Sequence, residues 1–182
     1  MPAPGLRLRT APTADLSPRE LAAVRGFLDA AFTGRFDDED WAHALGGLHV
    51  LATTDGELAG HASLVGRQLI ADGRTLRTGY VEAVATAARM RRRGVGAAVM
   101  AEVERLIAGG AELGALASSA AAVDFYRARG WLAWTGPTAA LTPDGPVETP
   151  DEAVFVLPTP ATPAPLDPTG RLVCDWRRGD LW

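Results

Sequence analysis

The sequence predicts a mixed α/β fold, and three observations carry that expectation. Alternating runs on either side of Asp55-Gly56 and Asp72-Gly73 read as strands joined by tight turns. Val99, Val103, Leu106 and Ile107 recur at helical spacing. Just beyond them, Leu113–Ala117 is short, apolar and bounded by glycine and serine, the pattern of a buried parallel strand after a crossover helix.

In chain order, Leu6–Arg9 alternates as a first short strand. Ser17 then offers an N-cap and Pro18 a preset first turn for a helix bearing Leu21, Val24, Leu28 and Phe32, which Gly34 ends. Phe36–Trp41 opens a second short helix, with acids in the turn where the helix dipole favours them. Leu48–Thr53, Leu58–Ile70 and Leu76–Thr86 are the next three strands. An arginine-glycine loop follows, then the amphipathic helix, closed by Gly109-Gly110. After Leu113–Ala117, Ser118-Ser119 can cap a helix over Ala120–Arg129 that Gly130 stops. Trp131–Leu141 and Val154–Leu157 read as strands joined by a proline-rich turn region. Residues 158–170 form a proline-rich surface loop rather than a linker, so one domain over 1–182 is expected.

Composition narrows the function. Apolar residues make up 47% and charged residues 22%, ordinary globular values that exclude a disordered or fibrous chain. No apolar run approaches the roughly 18 residues of a membrane span, and the N-terminus lacks the apolar core of a signal peptide, so a cytoplasmic protein with no membrane partner is expected. All 18 basic residues are arginine, yet the net charge of −4 argues against nucleic acid and suits a cationic small molecule. Cys174 is the single cysteine, and His43, His49 and His61 show no zinc-like spacing with it, so no metal is expected.

The chemistry is concentrated around Arg91-Arg92-Arg93-Gly94-Val95-Gly96. Glycines between a strand and a helix let the backbone turn sharply and aim several N–H groups at one anion, and the helix N-terminus adds positive potential. A solvated strand-to-helix turn is the plainer alternative. Upstream, Glu82 is a carboxylate in an otherwise apolar strand, which must be paired, hydrated or functional. It could pair with an arginine, or accept a proton from an ammonium nucleophile. Tyr126 shares a helical face with Ala122 and Phe125, as a core tyrosine would.

With Tyr80–Thr86 before the loop, Leu113–Ala117 after its helix, and Phe125-Tyr126-Arg127-Ala128-Arg129-Gly130-Trp131 beyond, the chain resembles the GNAT superfamily of N-acetyltransferases. A narrower set of motifs resembles the aminoglycoside 2′-N-acetyltransferases of actinobacteria. It comprises Trp41-x-His43-x-Leu45-Gly46-Gly47-x-His49, Gly79-Tyr80-Val81-Glu82, Gly136-Pro137-Thr138 and the block Cys174-Asp175-Trp176-Arg177 with Gly179-Asp180 and Trp182. The resemblance implies a twisted mixed sheet splayed between its fourth and fifth strands, acetyl-CoA as co-substrate, and a homodimer. It implies a general base at Glu82 and an acid at Tyr126. Val84, Ala85, Thr86, Arg91, Arg92, Arg93, Gly94, Val95 and Gly96 would hold the cofactor, with a backbone N–H near Val84 facing the thioester oxygen. A cationic aminoglycoside would meet Asp40, Glu82, Ala83, Ala117, Asp151, Glu152, Asp180 and Trp182, the last through its terminal carboxylate.

Departures from that pattern bear on the acceptor. Arg35 stands where an acidic ligand is expected, Ala117 replaces a serine, Ala83 replaces a glycine, and the segment around Asp151-Glu152 is shorter. Asp37 or Asp38 could substitute for the acid lost at Arg35, although helix capping explains both. Acetylation of another amine is therefore the alternative enzymatic reading, and a CoA-binding module that sequesters the drug is the non-enzymatic one.

Overall fold

The computed structural model describes residues 5–150 and 152–182. These divide into two compact units, one comprising the chain up to Val65 with Val81–Arg105, the other Gly66–Tyr80 with Leu106–Trp182.

In the first unit, β1 (Arg7–Pro12), β2 (Leu48–Thr54) and the first part of β3 (Glu57–Ala71) pair antiparallel, from Arg7↔Thr53 to Pro12↔Leu48 and from Leu48↔Leu64 to Thr54↔Glu57. Asp55 and Gly56 both take positive φ, 52° and 83°, as a two-residue turn matched to strand twist requires. Helix α1 (Pro18–Phe32) begins where expected: Ser17 and Glu20 form a reciprocal capping box, and Thr33 leaves the helix in the left-handed conformation. Val24 and Leu28 are its fully buried residues, and they pack with Ala11, Leu16, Phe36, Leu51 and Ala85 in one apolar cluster. Helix α2 covers Asp38–Ala44 rather than starting at Phe36, because Asp37 is the cap and Phe36 is drawn into that cluster beneath the Arg25 guanidinium. Helix α3 (Val95–Gly110) packs against β3 at Gly60, where an added Cβ would stand 2.7 Å from Val95 Cγ1 and 3.3 Å from Val99 Cγ2.

The second unit holds the later part of β3, the early part of β4 (Arg74–Thr86), and six further strands. These are β5 (Leu113–Ala117), β6 (Leu132–Ala133), β7 (Thr138–Thr142), β8 (Gly145–Glu148), β9 (Val154–Pro158) and β10 (Leu172–Cys174), in the order β6-β9-β5-β4-β3-β10-β7-β8. The parallel ladder of β4 and β5 has three rungs, Thr78↔Leu113 to Tyr80↔Ala115, and ends there although both strands continue.

Three sequence expectations change here, and one strand appears that no local pattern announced. The strand expected over Trp131–Leu141 is two strands, because the chain between them passes so close to Gly170 that a Cβ on Gly136 would stand 1.9 Å from its carbonyl oxygen. The proline-rich turn region contains β8, an edge strand that tolerates Pro146 because no further strand needs its N–H. The helix expected over Ala120–Arg129 is a 3-10 turn, Ala120–Ala122, followed by the short α4 (Val123–Arg127). Finally, the three residues of β10 lie inside the sheet, antiparallel to β3 and parallel to β7.

Candidate active site

Along β4 the side chains pass from buried Tyr80 and Val81 to half-buried Glu82, Ala83 and Val84, then to Ala85 in the apolar cluster. At the centre of that stretch Ala83 has φ +50°, an uncommon backbone for a non-glycine residue and rarer still inside a strand. A glycine would be at ease there. The Ala83 carbonyl accepts a hydrogen bond from His61 Nδ1 at 2.9 Å; His61 Nε2 lies 3.0 Å from His49 Nδ1, and His49 Nε2 lies 2.9 Å from Thr13 Oγ1. Both histidines are fully buried. Burial lowers the pKa of each, that of His61 to about 4 with some opposition from its bond to Ala83. Both imidazoles are therefore neutral in ordinary buffers.

Beyond Thr86, Ala87 N–H donates to the Ala59 carbonyl and a 3-10 turn over Ala88–Met90 leads into the loop. Arg92 and Gly94 have φ of 60° and 79°, and α3 starts at Val95. Arg91, Arg92 and Arg93 are exposed, whereas Val95 is buried and anchors the first turn. Exposed guanidinium groups beside the open N–H groups of a 16-residue helix make a site suited to a diphosphate.

In the second unit, α4 ends in a Schellman motif that orients Tyr126. Trp131 N–H donates to the Tyr126 carbonyl at 3.1 Å, Gly130 N–H donates to that of Arg127 at 3.0 Å, and Gly130 has φ +88°. The accompanying apolar contact is aromatic: Tyr126 meets Trp131 with ring centroids 6.0 Å apart and Phe155 at 6.1 Å. Burial pushes the phenol up to about 12, with Arg129 opposing, so it stays protonated and can donate a hydrogen bond.

The residues that the sequence resemblance assigns to the acceptor belong to different units. Asp40 is committed through Oδ2 to the capping box with the Asp37 N–H, at 3.0 Å. Arg35 is exposed, as are Asp37 and Asp38, and Asp38 pairs with Arg25 at 3.0 Å. In the second unit, exposed Ala117 ends β5 opposite Val154, and Ser118 N–H donates to the Ala153 carbonyl, which brings half-buried Glu152 alongside. Asp151 lies outside the described residues. Trp182 is buried with its indole N–H donating to Thr149 Oγ1 at 2.8 Å, while Asp180 is exposed. Arg67, which the sequence analysis did not single out, holds this tail. It pairs with Asp175 at 2.7 Å and donates to the carbonyls of Asp175 and Leu181, with its guanidinium 4.7 Å from the Tyr80 ring centre. His49, although it stands in the Trp41–His49 motif, and His61 were given no role from sequence, because their contact depends on the register between two strands, which the sequence does not reveal.

Residues 14–133 match the family model described as an acetyltransferase (GNAT) domain. The chain belongs to the GNAT family of acetyltransferases. The enzyme is 45% identical over 174 residues to the aminoglycoside 2′-N-acetyltransferase of Mycolicibacterium fortuitum, covering 93% of this chain and 89% of that one. Among solved structures, Escherichia coli ElaA superposes with a TM-score of 0.60 at 19% identity, covering 83% of this acetyltransferase and 98% of that chain. A GNAT acetyltransferase from Brucella melitensis, solved in complex with acetyl-CoA, gives 0.59 at 18% identity over 92% and 94% of the two chains. These structural likenesses establish the fold. The mixed α/β sheet expected from sequence is the GNAT sheet.

Proposed function

We propose that this acetyltransferase moves an acetyl group from acetyl-CoA to the 2′-amine of an aminoglycoside. The observation that carries the acceptor is the 45% identity, over 93% of the chain, to an aminoglycoside 2′-N-acetyltransferase. The donor site is the loop Arg91–Gly96 with the start of α3, where Arg91, Arg92 and Arg93 neutralise the diphosphate and Gly94, Val95 and Gly96 present the helix N-terminus. Val84, Ala85 and Thr86 line the acyl arm, and the Val84 N–H faces the thioester oxygen. Family resemblance assigns Asp40, Glu82, Ala83, Ala117, Asp151, Glu152, Asp180 and Trp182 to acceptor binding, the acidic members attracting its ammonium groups. Family resemblance extends the proposal to a single-domain cytoplasmic homodimer.

In this reading the amine attacks the thioester carbon, an N–C bond forms, and the ammonium proton passes to Glu82 directly or through one water. Collapse of the tetrahedral intermediate breaks the C–S bond. Burial keeps the Tyr126 phenol protonated, so it can hydrogen-bond or protonate the departing sulfur as the acid of the reaction.

The test pairs aminoglycosides that differ only in carrying an amine or a hydroxyl at the 2′ carbon, with release of free thiol as the readout. Turnover with the amine alone is expected; equal turnover with both overturns the regiochemistry, and thiol release with neither overturns the acceptor. Exposed Arg35 and the missing hydroxyl at Ala117 favour a second reading, in which another amine is the better acceptor. Competition between an aminoglycoside and simple polyamines separates the two.

A further inference from the structure

The hydrogen bonds running from Thr13 to Ala83 can be satisfied together in one direction. The Ala83 carbonyl only accepts, so His61 must carry its proton on Nδ1. In a neutral imidazole that leaves His61 Nε2 as acceptor, so His49 must donate from Nδ1. His49 Nε2 is then an acceptor, and the single Thr13 Oγ1 proton goes to it at 2.9 Å in preference to the Gly47 carbonyl at 3.3 Å, while Thr13 Oγ1 receives the Gly46 N–H at 2.9 Å. Every link is an ordinary bond of 2.9–3.0 Å, and every member lies in the first compact unit.

The far end of this chain bears on the proposed chemistry. The peptide between Ala83 and Val84 is trans, so its C=O and N–H point in opposite directions. Whatever holds the carbonyl aims the N–H. Ala83 is held at φ +50°, a conformation that costs an alanine on the order of 1 kcal/mol and that a regular strand would not keep. We infer that His61, kept in one tautomer by His49 and Thr13, is a positioning residue for acetyl transfer. By holding the Ala83 carbonyl it turns the Val84 N–H toward the oxygen on which negative charge develops. The inference rests on the proposed role of the Val84 N–H as oxyanion donor.

Bonding of a backbone N–H to a thioester carbonyl lowers the carbonyl stretching frequency, so the experiment reads the infrared difference spectrum of acetyl-CoA, carbon-13 labelled at the carbonyl, bound to the full chain. Wild type should show a downshift from free acetyl-CoA. His61→Asn retains a donor near the position of Nδ1 and should keep most of it. His61→Leu should lose it, with kcat reduced on the order of 10- to 100-fold and the KM for acetyl-CoA within about twofold, as expected of an interaction made chiefly in the transition state. A merely structural role would lower the amount of active enzyme without moving the frequency. If His61→Leu does not fold, His49→Leu decides, since it frees the His61 tautomer and should broaden and weaken the downshift. A full downshift persisting in His61→Leu, or in His49→Leu where His61→Leu does not fold, overturns the inference and leaves the oxyanion role standing. Loss of the downshift in His61→Asn to the same extent as in His61→Leu also overturns it. No downshift in wild type, with acetyl-CoA bound, overturns both the inference and the oxyanion role.

Discussion

Arg67 donates from Nη1 to the carbonyl of Leu181, 114 residues later in the chain, at 2.9 Å. The same guanidinium binds Asp175, but the two partners are unequally buried: the Arg67 side chain is 5% exposed and that of Asp175 40%. Removing the acid strands a buried cation, whereas removing the cation leaves an acid that water can reach. Asp175→Ala should therefore cost about 3 kcal/mol and Arg67→Met about 1–2 kcal/mol, read by urea unfolding. Either variant should speed amide exchange at Leu181. An equal or reversed order of stability would show that the pair is not governed by the burial of Arg67.

Ala83 offers a test in which strand propensity and backbone conformation oppose each other. Valine suits strands better than alanine or glycine, yet a β-branched residue at φ +50° is badly strained. Ala83→Gly should stay within about 1 kcal/mol of wild type, because relief of the left-handed strain offsets the added freedom of the unfolded chain. Ala83→Val should lose more than about 1 kcal/mol. Thermal unfolding of the two variants side by side decides, and a valine variant as stable as the glycine one would mean the turn is not maintained in solution.

The contact between Gly60 and the first turn of α3 predicts a rescue. With 2.7 Å between an added Cβ and Val95 Cγ1, Gly60→Ala overpacks a rigid β-branched neighbour and should cost about 1–3 kcal/mol. Val95→Ala removes the opposing methyl groups, so a double-mutant cycle should show a favourable coupling above about 0.5 kcal/mol. Strict additivity would place the strain elsewhere.

Acid should weaken the first unit through His61. Its folded-state pKa of about 4 lies below the ordinary histidine value of 6.5, so between those pH values the unfolded chain binds more protons than the native one. Stability therefore rises with pH through that window, is fully present above about 6.5, and has lost about 3 kcal/mol from this group by pH 4. His49 is shifted in the same direction by burial. Urea titrations at pH 7 and 4.5 should show a smaller difference for His61→Asn than for wild type; an unchanged difference would remove His61 as its source.

Much of the framework around the candidate site was legible because its signals are local. Ser17-Pro18 and Glu20 mark the start of α1, Asp55-Gly56 and Asp72-Gly73 mark turns, and Arg91–Gly96 lies between a strand and a helix in sequence as in space. The misjudged stretches depend on distant chain. Trp131–Leu141 alternates convincingly as one strand, and what splits it is the approach of residues 168–170, which no local pattern announces. Cys174, the single cysteine, is buried, and its place between β3 and β7 follows from long-range pairing.

The sequence by itself determined the order of elements, the strand-loop-helix that suits a diphosphate, and the candidacy of Glu82 and Tyr126, because capping, turn chemistry and periodicity act over a few residues. Only the tertiary structure decided that Ala83 is left-handed, that Thr13, His49 and His61 converge on its carbonyl, and that Arg67 reaches the tail. Each of those depends on register between segments far apart in the chain, and register is set by the sum of weak contacts across the whole core rather than by any one residue.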